Sequence, residues 1–449
     1  MRARPDAPLR DHAHENAPLK PGTFAGYRKV ITLIISLTLL QAALASLTLV
    51  VALHLRAAGA SNLALGLVGS CFATGLFMGA LFAPREITRV GHIRAFSLFA
   101  ASAIIVSLAF TLSVEVAAFA VLQVFVGFCF SGLWAAGDGW ITRAAPDHMR
   151  GAIVSFYHVV NKLGSISGPF IVLGLKGDAD GFLLAAALIA AAILPVAATS
   201  NPQPETSHTA PFGPARIFKL APAAAVAAFT AGAVNTAVGQ LYPVYVAGLN
   251  HPDPLKLSAQ FNGALLAGSM IALWPAGLLS DRIDRRLVMG GLGAVGAIAA
   301  FILALLGNVL PLGAFVFVVG LYGAGALSHY ALAVAHAADK TETHQMTAMM
   351  AGILIIWSMG SIIGPLAGGA VMSLGLGPRG LFIYAGIGMA LMTIFVLARS
   401  RVSDAVPVED KGPFVPTQTT SLVLAEMDIR GDDEQFDLFD DTDASVDRS

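Results

Sequence analysis

The chain has 449 residues, of which 56% are hydrophobic and only 12% are charged, and its formal net charge is −1. These charged residues are too few to cover the surface of a water-soluble protein of this length, so composition excludes a soluble enzyme or a soluble binding domain. Long apolar stretches recur with short polar breaks, which indicates a chain that crosses a bilayer many times.

The N-terminal part of the chain is predicted to consist of a tail and six spans. Residues 1–29 carry mixed charge without an apolar stretch, so we interpret them as a cytoplasmic tail and not as a cleaved signal peptide. A six-helix half is predicted over 30–199. Its spans are expected at 30–53, 62–84, 95–113, 116–140, 151–174 and 181–199.

A polar, proline-containing stretch at 200–222 is predicted to be a cytoplasmic linker to a second six-helix half over 223–399. The spans of this half are expected at 223–248, 257–280, 287–306, 311–335, 347–374 and 379–399. Residues 400–449 are rich in Asp and Glu and are predicted to be a disordered acidic tail in the cytoplasm. The predicted fold class is an all-α integral membrane protein with 12 transmembrane helices.

The distribution of Lys and Arg predicts the orientation, because cytoplasmic loops carry an excess of these residues. One set of loops and both termini hold most of them, whereas the other side has only Arg56, Lys176, Lys256 and Arg379. Both termini are therefore predicted to be cytoplasmic. We expect the membrane to be a bacterial cytoplasmic (inner) membrane.

The motifs of several other classes are not found in the sequence. No Gly-rich loop ends in Gly-Lys-Ser or Gly-Lys-Thr, which argues against an ATP-driven pump, and no nucleic-acid partner is expected. Cys71 and Cys129 lie inside predicted spans, where cysteine usually acts as a small apolar residue. We therefore expect no metal site, no cofactor and no enzymatic activity.

A short motif occurs twice, as Gly-Ser-Ile-x-Gly-Pro. Shifting the chain by 196 residues superposes 164–169 on 360–365, and the same shift pairs Gly127 with Gly323. The repeated positions that matter for helix packing are Gly164, Gly168, Pro169, Gly360, Gly364 and Pro365. The two halves are thus interpreted as copies, which is typical of secondary transporters with a substrate path between their halves.

The sequence resembles the major facilitator superfamily over nearly all of residues 25–400. "GLLSDRIDRR" at 277–286 resembles the cytoplasmic-loop signature of that family, and "GSIIGPLAGG" at 360–369 resembles the Gly-Pro signature best known from its antiporters. Together with "VGHIRAF" at 90–96, these motifs are most similar to the poorly characterised YcaD-type permeases of bacteria. The loop after the second span departs from the signature, because Ala83 stands where the family has Asp.

The resemblance implies alternating access, with the Gly-Pro motifs permitting helix bending and close packing; simple packing by small residues is the alternative. The loop motif suggests a gate that latches the cytoplasmic ends, against the alternative of ordinary topology-setting charge. The candidate residues of the loop motif are Gly277, Asp281, Arg282, Arg285 and Arg286. Asp138 of the fourth span and Arg150 of the fifth are further gate candidates, with interfacial anchoring as the alternative for Asp138. The fourth span places Gln123 where proton-linked members carry Arg, so proton coupling and antiport stay open.

Polar residues within the spans are the candidates for substrate binding or coupling. Lys162 is predicted near the midplane of the fifth span, where a charged group is costly and usually functional. The full candidate set is Lys162, His158, Asn161, Asn235, Tyr242, His329 and Tyr330. For each residue a satisfied interhelical hydrogen bond is the alternative.

These patterns favour a secondary active transporter of a small solute. A lysine in the path would suit an anionic or zwitterionic solute, or would exchange a proton during the cycle. We expect a monomer whose other partner is the lipid bilayer. The alternative is a receptor or assembly factor that keeps the fold and has lost transport.

Overall fold

The structure is a computed structural model that describes residues 23–144, 150–175, 177, 179–197, 211–249, 251–407, 409, 411, 412 and 414. Residues 23–29 and 142–151 are described by their backbone alone, where the structure covers them. The predictions for the N-terminal tail, for most of the linker and for most of the acidic tail lie outside these residues.

The described residues fold into α-helices joined by short connections. The helices of the first half are α1 (Thr23–Ala57), α2 (Asn62–Val90), α3 (His92–Ala109), α4 (Val116–Ala144), α5 (Arg150–Val172) and α6 (Asp180–Ala197). A short helix, α7 (Pro214–Leu220), lies in the linker. The second half contains α8 (Pro222–Ala247), α9 (Pro254–Arg282), α10 (Arg285–Leu306), α11 (Leu312–Ala326), α12 (His329–Ala338), α13 (Met346–Val371) and α14 (Gly380–Val402).

The helices supply twelve membrane crossings, which confirms the predicted fold class. Ten segments of the described chain are long and apolar enough to span a bilayer, and the last of them, Thr343–Val402, contains both α13 and α14. Helix α5, with Lys162 in its middle, completes the twelve. Helices are required here because every backbone N–H and C=O in the bilayer core must find its partner within the protein.

The tenth crossing is built from two helices. Helix α11 ends at Ala326 and α12 begins at His329, so the ladder of backbone hydrogen bonds is interrupted at Leu327 and Ser328. The interruption is buried in protein, since Ser328 and His329 are 1% and 2% exposed. The sequence predicts a single span at 311–335 and gives no indication of this break.

Glycine contacts show the internal symmetry of the two halves. In the first half, a Cβ atom at Gly164 or Gly168 of α5 would lie closer than 3.0 Å to a backbone carbonyl of α1. In the second half, a Cβ atom at Gly360 or Gly364 of α13 would meet carbonyls of α8 equally closely. The repeated motif therefore serves the same helix pair in each half, and its prolines lie within helices that continue past them.

The bundle has two ends that differ in charge. We call the end at which α2 meets α3, α9 meets α10 and α12 meets α13 the basic end, because Arg85, Arg89, Arg285, Arg286 and Lys340 lie there. Helix α14 also ends there, since Arg286 donates a hydrogen bond to the carbonyl of Arg399. The other end is called the opposite end.

Contacts between the halves lie at the opposite end and at mid-depth. At the opposite end, Asn62 of α2 donates to the carbonyl of Met372, and the amide of Leu366 in α13 donates to Ser70 of α2 at 3.0 Å. Gly66 of α2 packs directly against the α13 backbone. The described contacts thus join the two halves at the opposite end and at mid-depth. We call this arrangement open at the basic end.

Candidate substrate pathway between the two halves

The α5–α9 seam, at which the first half meets the second, contains the predicted central lysine. Lys162 Nζ of α5 donates a hydrogen bond to Ser269 Oγ of α9 at 2.8 Å. Farther toward the opposite end, Asn262 Nδ2 of α9 donates to the carbonyl of Ser165 at 2.9 Å. The seam is therefore polar, although it is formed by two helices of largely apolar sequence.

Lys162 is partly buried and forms no ion pair with the described residues. A hydroxyl group is its hydrogen-bonding partner, which leaves two further ammonium protons for other acceptors. An ammonium group in a membrane interior is costly and is retained mainly where it has a function. The geometry therefore suits an anionic ligand group or a proton-exchange step.

His158 and Asn161, the other candidates on α5, face away from this seam. Asn161 Oδ1 accepts a hydrogen bond from Thr38 of α1 at 3.3 Å, and Asn161 is 1% exposed. His158 is buried beside the ring of Tyr157, and the two ring centroids are 5.1 Å apart. The Tyr157 hydroxyl donates to Asp138, so this pair joins α4 to α5 inside the first half. The side chain of Arg150 lies outside the described atoms.

Asn235 and His329 meet at the break in the tenth crossing. Asn235 Nδ2 donates to the carbonyl of Ala326 at 3.0 Å, and His329 Nδ1 lies 3.2 Å from the same oxygen. His329 Nε2 lies 3.2 Å from the carbonyl of Met289 in α10. Asn235 and His329 thus both contact the carbonyl of Ala326 at the interruption, as is usual for broken membrane helices.

Tyr242 and Tyr330, the remaining candidates, pack in aromatic surroundings. Tyr242 stacks on Phe261 with ring centroids 5.1 Å apart, in a cluster that includes Tyr245 and Phe382. Tyr330 lies edge-on to Trp357 with centroids 6.3 Å apart. The predicted set therefore divides between the seam, the tenth crossing and two aromatic contacts, and does not form one cluster.

Buried polar atoms of three amide side chains have no hydrogen bond that meets normal geometry among the described residues, although Asn161 also lies beside the Tyr157 hydroxyl. These atoms are Asn161 Nδ2, Asn235 Oδ1 and Gln123 Oε1. Buried polar groups normally pair, so these atoms are places where an ordered water would fit. Gln123 also borders a small pocket between α1, α2 and α8, together with Thr48 and Gln240.

The connection between α9 and α10 at the basic end holds a network of charges. We use the name α9–α10 loop for this connection together with the adjoining helix ends, residues 281–286. Arg285 is 1% exposed and pairs with Asp339 at 2.7 Å and with Asp281 at 3.0 Å. Arg286 pairs with Asp284 at 2.7 Å. Arg282, by contrast, is exposed.

The pKa of Asp284 reflects that pairing. Burial alone would raise this pKa, but the hydrogen bonds and the positive charge of Arg286 outweigh burial and hold the pKa below its usual value. Asp284 therefore stays ionised at neutral pH. It also accepts the amide proton of Arg286 at 2.9 Å, and so caps the first turn of α10.

Two parts of the site were not identified by sequence reasoning. Asn262 and Ser269 are seven residues apart, two helical turns, and so lie on one face of α9; this spacing was the available signal. The second part is a segment after α14, whose residues Lys411, Gly412 and Phe414 contact the α9–α10 loop. The acidic composition around it gave no sign of such a contact.

Two halves of six membrane-crossing helices, related by a repeated Gly-Pro motif and meeting around a polar seam, define a transporter of the two-fold-repeat class. The family comparison agrees: residues 31–329 and 262–430 match the model of the Major Facilitator Superfamily. The chain belongs to this superfamily.

Individual relatives are similar to the chain over most of its length. The uncharacterized MFS-type transporter YcaD of Salmonella paratyphi A is 27% identical over 350 residues, which cover 76% of this chain and 88% of that protein. The crystal structure of the nucleoside transporter NupG superposes with a TM-score of 0.70 at 14% identity, over 83% of this chain and 100% of that one. The crystal structure of a D-xylose-proton symporter superposes with a TM-score of 0.66 at 14% identity, over 86% of this chain and 99% of that one. These two similarities establish a shared fold.

Proposed function

We propose that the chain is a secondary active transporter that moves a small solute across a bacterial inner membrane by alternating access. The observation that carries the proposal is the Lys162–Ser269 hydrogen bond, which places a lysine without an ion pair among the described residues on the boundary between two pseudo-symmetric halves. Family membership and the closed opposite end support it. In this proposal the basic end is cytoplasmic, because cytoplasmic loops are rich in Lys and Arg.

The proposed organisation follows the two halves. Residues 30–199 and 223–399 are the moving bodies, 200–222 connects them in the cytoplasm, and 1–29 and 400–449 are cytoplasmic tails. The Gly-Pro helices α5 and α13 hold each body together through their contacts with α1 and α8. Rocking of one body against the other would expose the seam to each side in turn.

Lys162 is proposed to bind an anionic group of the solute or to exchange a proton during the cycle. Either role requires the ammonium to exchange Ser269 for another partner, which costs little because the present partner is a neutral hydroxyl. A transport-inactive receptor on the same fold remains the second candidate. It is supported by the segment after α14, which contacts the basic end and adjoins an acidic tail suited to a partner protein.

The experiment that tests the proposal is a ligand screen by thermal shift on detergent-purified protein. The panel contains nucleosides, pentoses, and small organic anions and zwitterions. A ligand at 100 times its dissociation constant stabilises the protein by about 2.7 kcal/mol, which is readily measured. Lys162→Met should abolish the shift given by a solute that binds in the seam. Lys256→Met, at an exposed lysine near the start of α9 at the opposite end, is the matched control.

Uptake of the identified ligand into vesicles then separates the two candidates. A transporter accumulates the ligand when a proton or solute gradient is imposed. A protein that binds the ligand and never moves it is a receptor.

A further inference from the structure

The segment after α14 lies across the α9–α10 loop; we call Lys411, Gly412 and Phe414 the C-terminal strap. Lys411 Nζ donates to the carbonyl of Ile283 at 2.7 Å, and Arg285 donates to the carbonyl of Gly412 at 2.5 Å. The amide of Phe414 donates to Asp281 Oδ2 at 3.2 Å. Both ends of the strap are thus fixed to the loop.

The ring of Phe414 packs against Gly277 so closely that a Cβ atom at Gly277 would overlap it. Glycine at this position is what allows the ring to lie against the helix backbone. The ring also joins the apolar cluster of the second half, beside the buried Ala276. The strap is therefore packed as well as hydrogen-bonded.

The strap covers the basic-end continuation of the α5–α9 seam. Gly263 of α9 touches Phe170 of α5, and Gly277 follows it by 14 residues, close to four helical turns, so both glycines lie on one side of α9. Lys162 pairs with Ser269, and seven residues toward the basic end on each helix brings Ser155 opposite Ala276 and Gly277. Ser155 is exposed in this structure.

We infer that the C-terminal strap competes with the first turns of α5 for the surface around Gly277 and Asp281, and so favours the conformation that is open at the basic end. Closing that end would continue the seam and bring α5 onto Gly277, which Phe414 now covers. It would also place the start of α5, where backbone amides lack partners, near the Asp281 carboxylate that now accepts the strap amide. The strap must leave before the basic end can close.

This inference rests on the proposed function, because the competition matters only if the halves alternate. It is tested by a distance measurement that needs no substrate. Spin labels at Ala152→Cys and Leu278→Cys, in a background carrying Cys71→Ser and Cys129→Ser, report the separation of α5 and α9 at the basic end. Both labelled positions are exposed.

With the wild-type strap, the two labels should show mainly the longer separation, which corresponds to the conformation that is open at the basic end. Phe414→Ala should increase the shorter-distance population roughly twofold to tenfold, the factor expected from losing about one contact's free energy. Lys411→Ala removes one exposed hydrogen bond and should shift the population in the same direction by less. Val402→Ala, at the last residue of α14, which is 74% exposed and precedes the strap, should change nothing.

Identical distance distributions for wild type, Phe414→Ala and Lys411→Ala would overturn the inference. If Phe414→Ala is not monodisperse in detergent, Lys411→Ala decides alone. A protein that fails to transport would contradict the proposed function, while the distances would still report whether the strap biases the two halves.

Discussion

Lys162 lies 12 residues after the first residue of α5, which is about 18 Å along the helix at roughly 1.5 Å per residue. At this depth an ammonium group costs about 2.5 to 3.5 kcal/mol even on the lenient insertion scales. Its hydrogen bond to Ser269 offsets part of this cost and ties the two halves together. If Lys162 exchanges Ser269 for another partner, a contact between the two halves is therefore lost at the same time.

We expect Lys162→Met to yield a folded, correctly inserted protein without coupled transport, because the substitution keeps the apolar stem and removes the charge. Lys162→Arg should retain binding better than turnover, since guanidinium keeps the charge but not the compact geometry. The measurement is uptake into vesicles over a range of pH, with Lys256→Met as control. Wild-type rate and pH profile in the Met variant would show that Lys162 is structural.

Arg285 provides a second prediction at this scale. Arg285→Met should destabilise the protein by about 3 to 5 kcal/mol, because it leaves the buried Asp339 carboxylate without its partner. The double variant Arg285→Met with Asp339→Asn should recover part of the loss, since a neutral amide is less costly to bury than a carboxylate. Thermal melting in detergent measures both. Equal melting temperatures for the single and double variants would contradict the pairing.

At the scale of single helices, the Gly-Pro helices are packing elements first. Gly364 of α13 lies against the carbonyl of Ala233 in α8, and Gly168 of α5 lies against that of Ala42 in α1. The contacts need glycine because any Cβ would overlap a neighbouring backbone atom. Pro365 has a further part, since its ring packs on Gly69 of α2 across the boundary between halves.

Gly364→Leu is therefore expected to impair transport more than insertion, because a large side chain separates α13 from α8. The cost should fall in the range of about 1 to 3 kcal/mol that is typical of overpacking. Gly168→Leu should behave alike if the halves are true copies. Gly291→Leu in α10 is the matched control, since Gly291 is exposed and a Cβ atom there meets nothing within 4 Å. Wild-type transport by Gly364→Leu would defeat the prediction.

Helix positions could be predicted from sequence far better than side-chain partners. Apolar runs of membrane length predict α1 and α13 directly, because the bilayer forces such runs into helices. The break at Leu327 and Ser328 could not be predicted, since no proline or glycine occupies it and the side chains that contact its Ala326 carbonyl, Asn235 and His329, come from distant or following residues. Lys162 was identified by its cost in the bilayer, whereas its partner Ser269 depends on tertiary packing.

At the scale of the whole molecule, the charge distribution predicts how the bundle lies in the membrane. Cysteines placed singly at Ser207 and Asp433, in the background without native cysteines, should react with impermeant thiol reagents only from the cytoplasmic side. Ala58→Cys, in the exposed connection between α1 and α2 at the opposite end, should react only from outside. Labelling of Ser207→Cys from outside would reverse the proposed orientation.

The described contacts join the two halves at the opposite end and at mid-depth, as expected for one of the conformations in the proposed alternating-access cycle. The C-terminal strap follows α14, the last helix of the second half, and so lies outside the twofold repeat. Its counterpart in the first half would be the segment after α6, which is part of the linker. Removal of the strap should favour the other conformation. The proposed cycle therefore requires two conformations, one open at each end, and a single solute path along the seam that both conformations share.

Uptake by vesicles containing the purified protein tests this central claim most directly. The solute is the thermal-shift ligand, offered with and without an imposed proton gradient, to wild type and to Lys162→Met side by side. The account predicts accumulation by the wild type above protein-free vesicles and loss of that accumulation in the variant. A ligand that binds the wild type but never enters its vesicles under either condition would contradict the account.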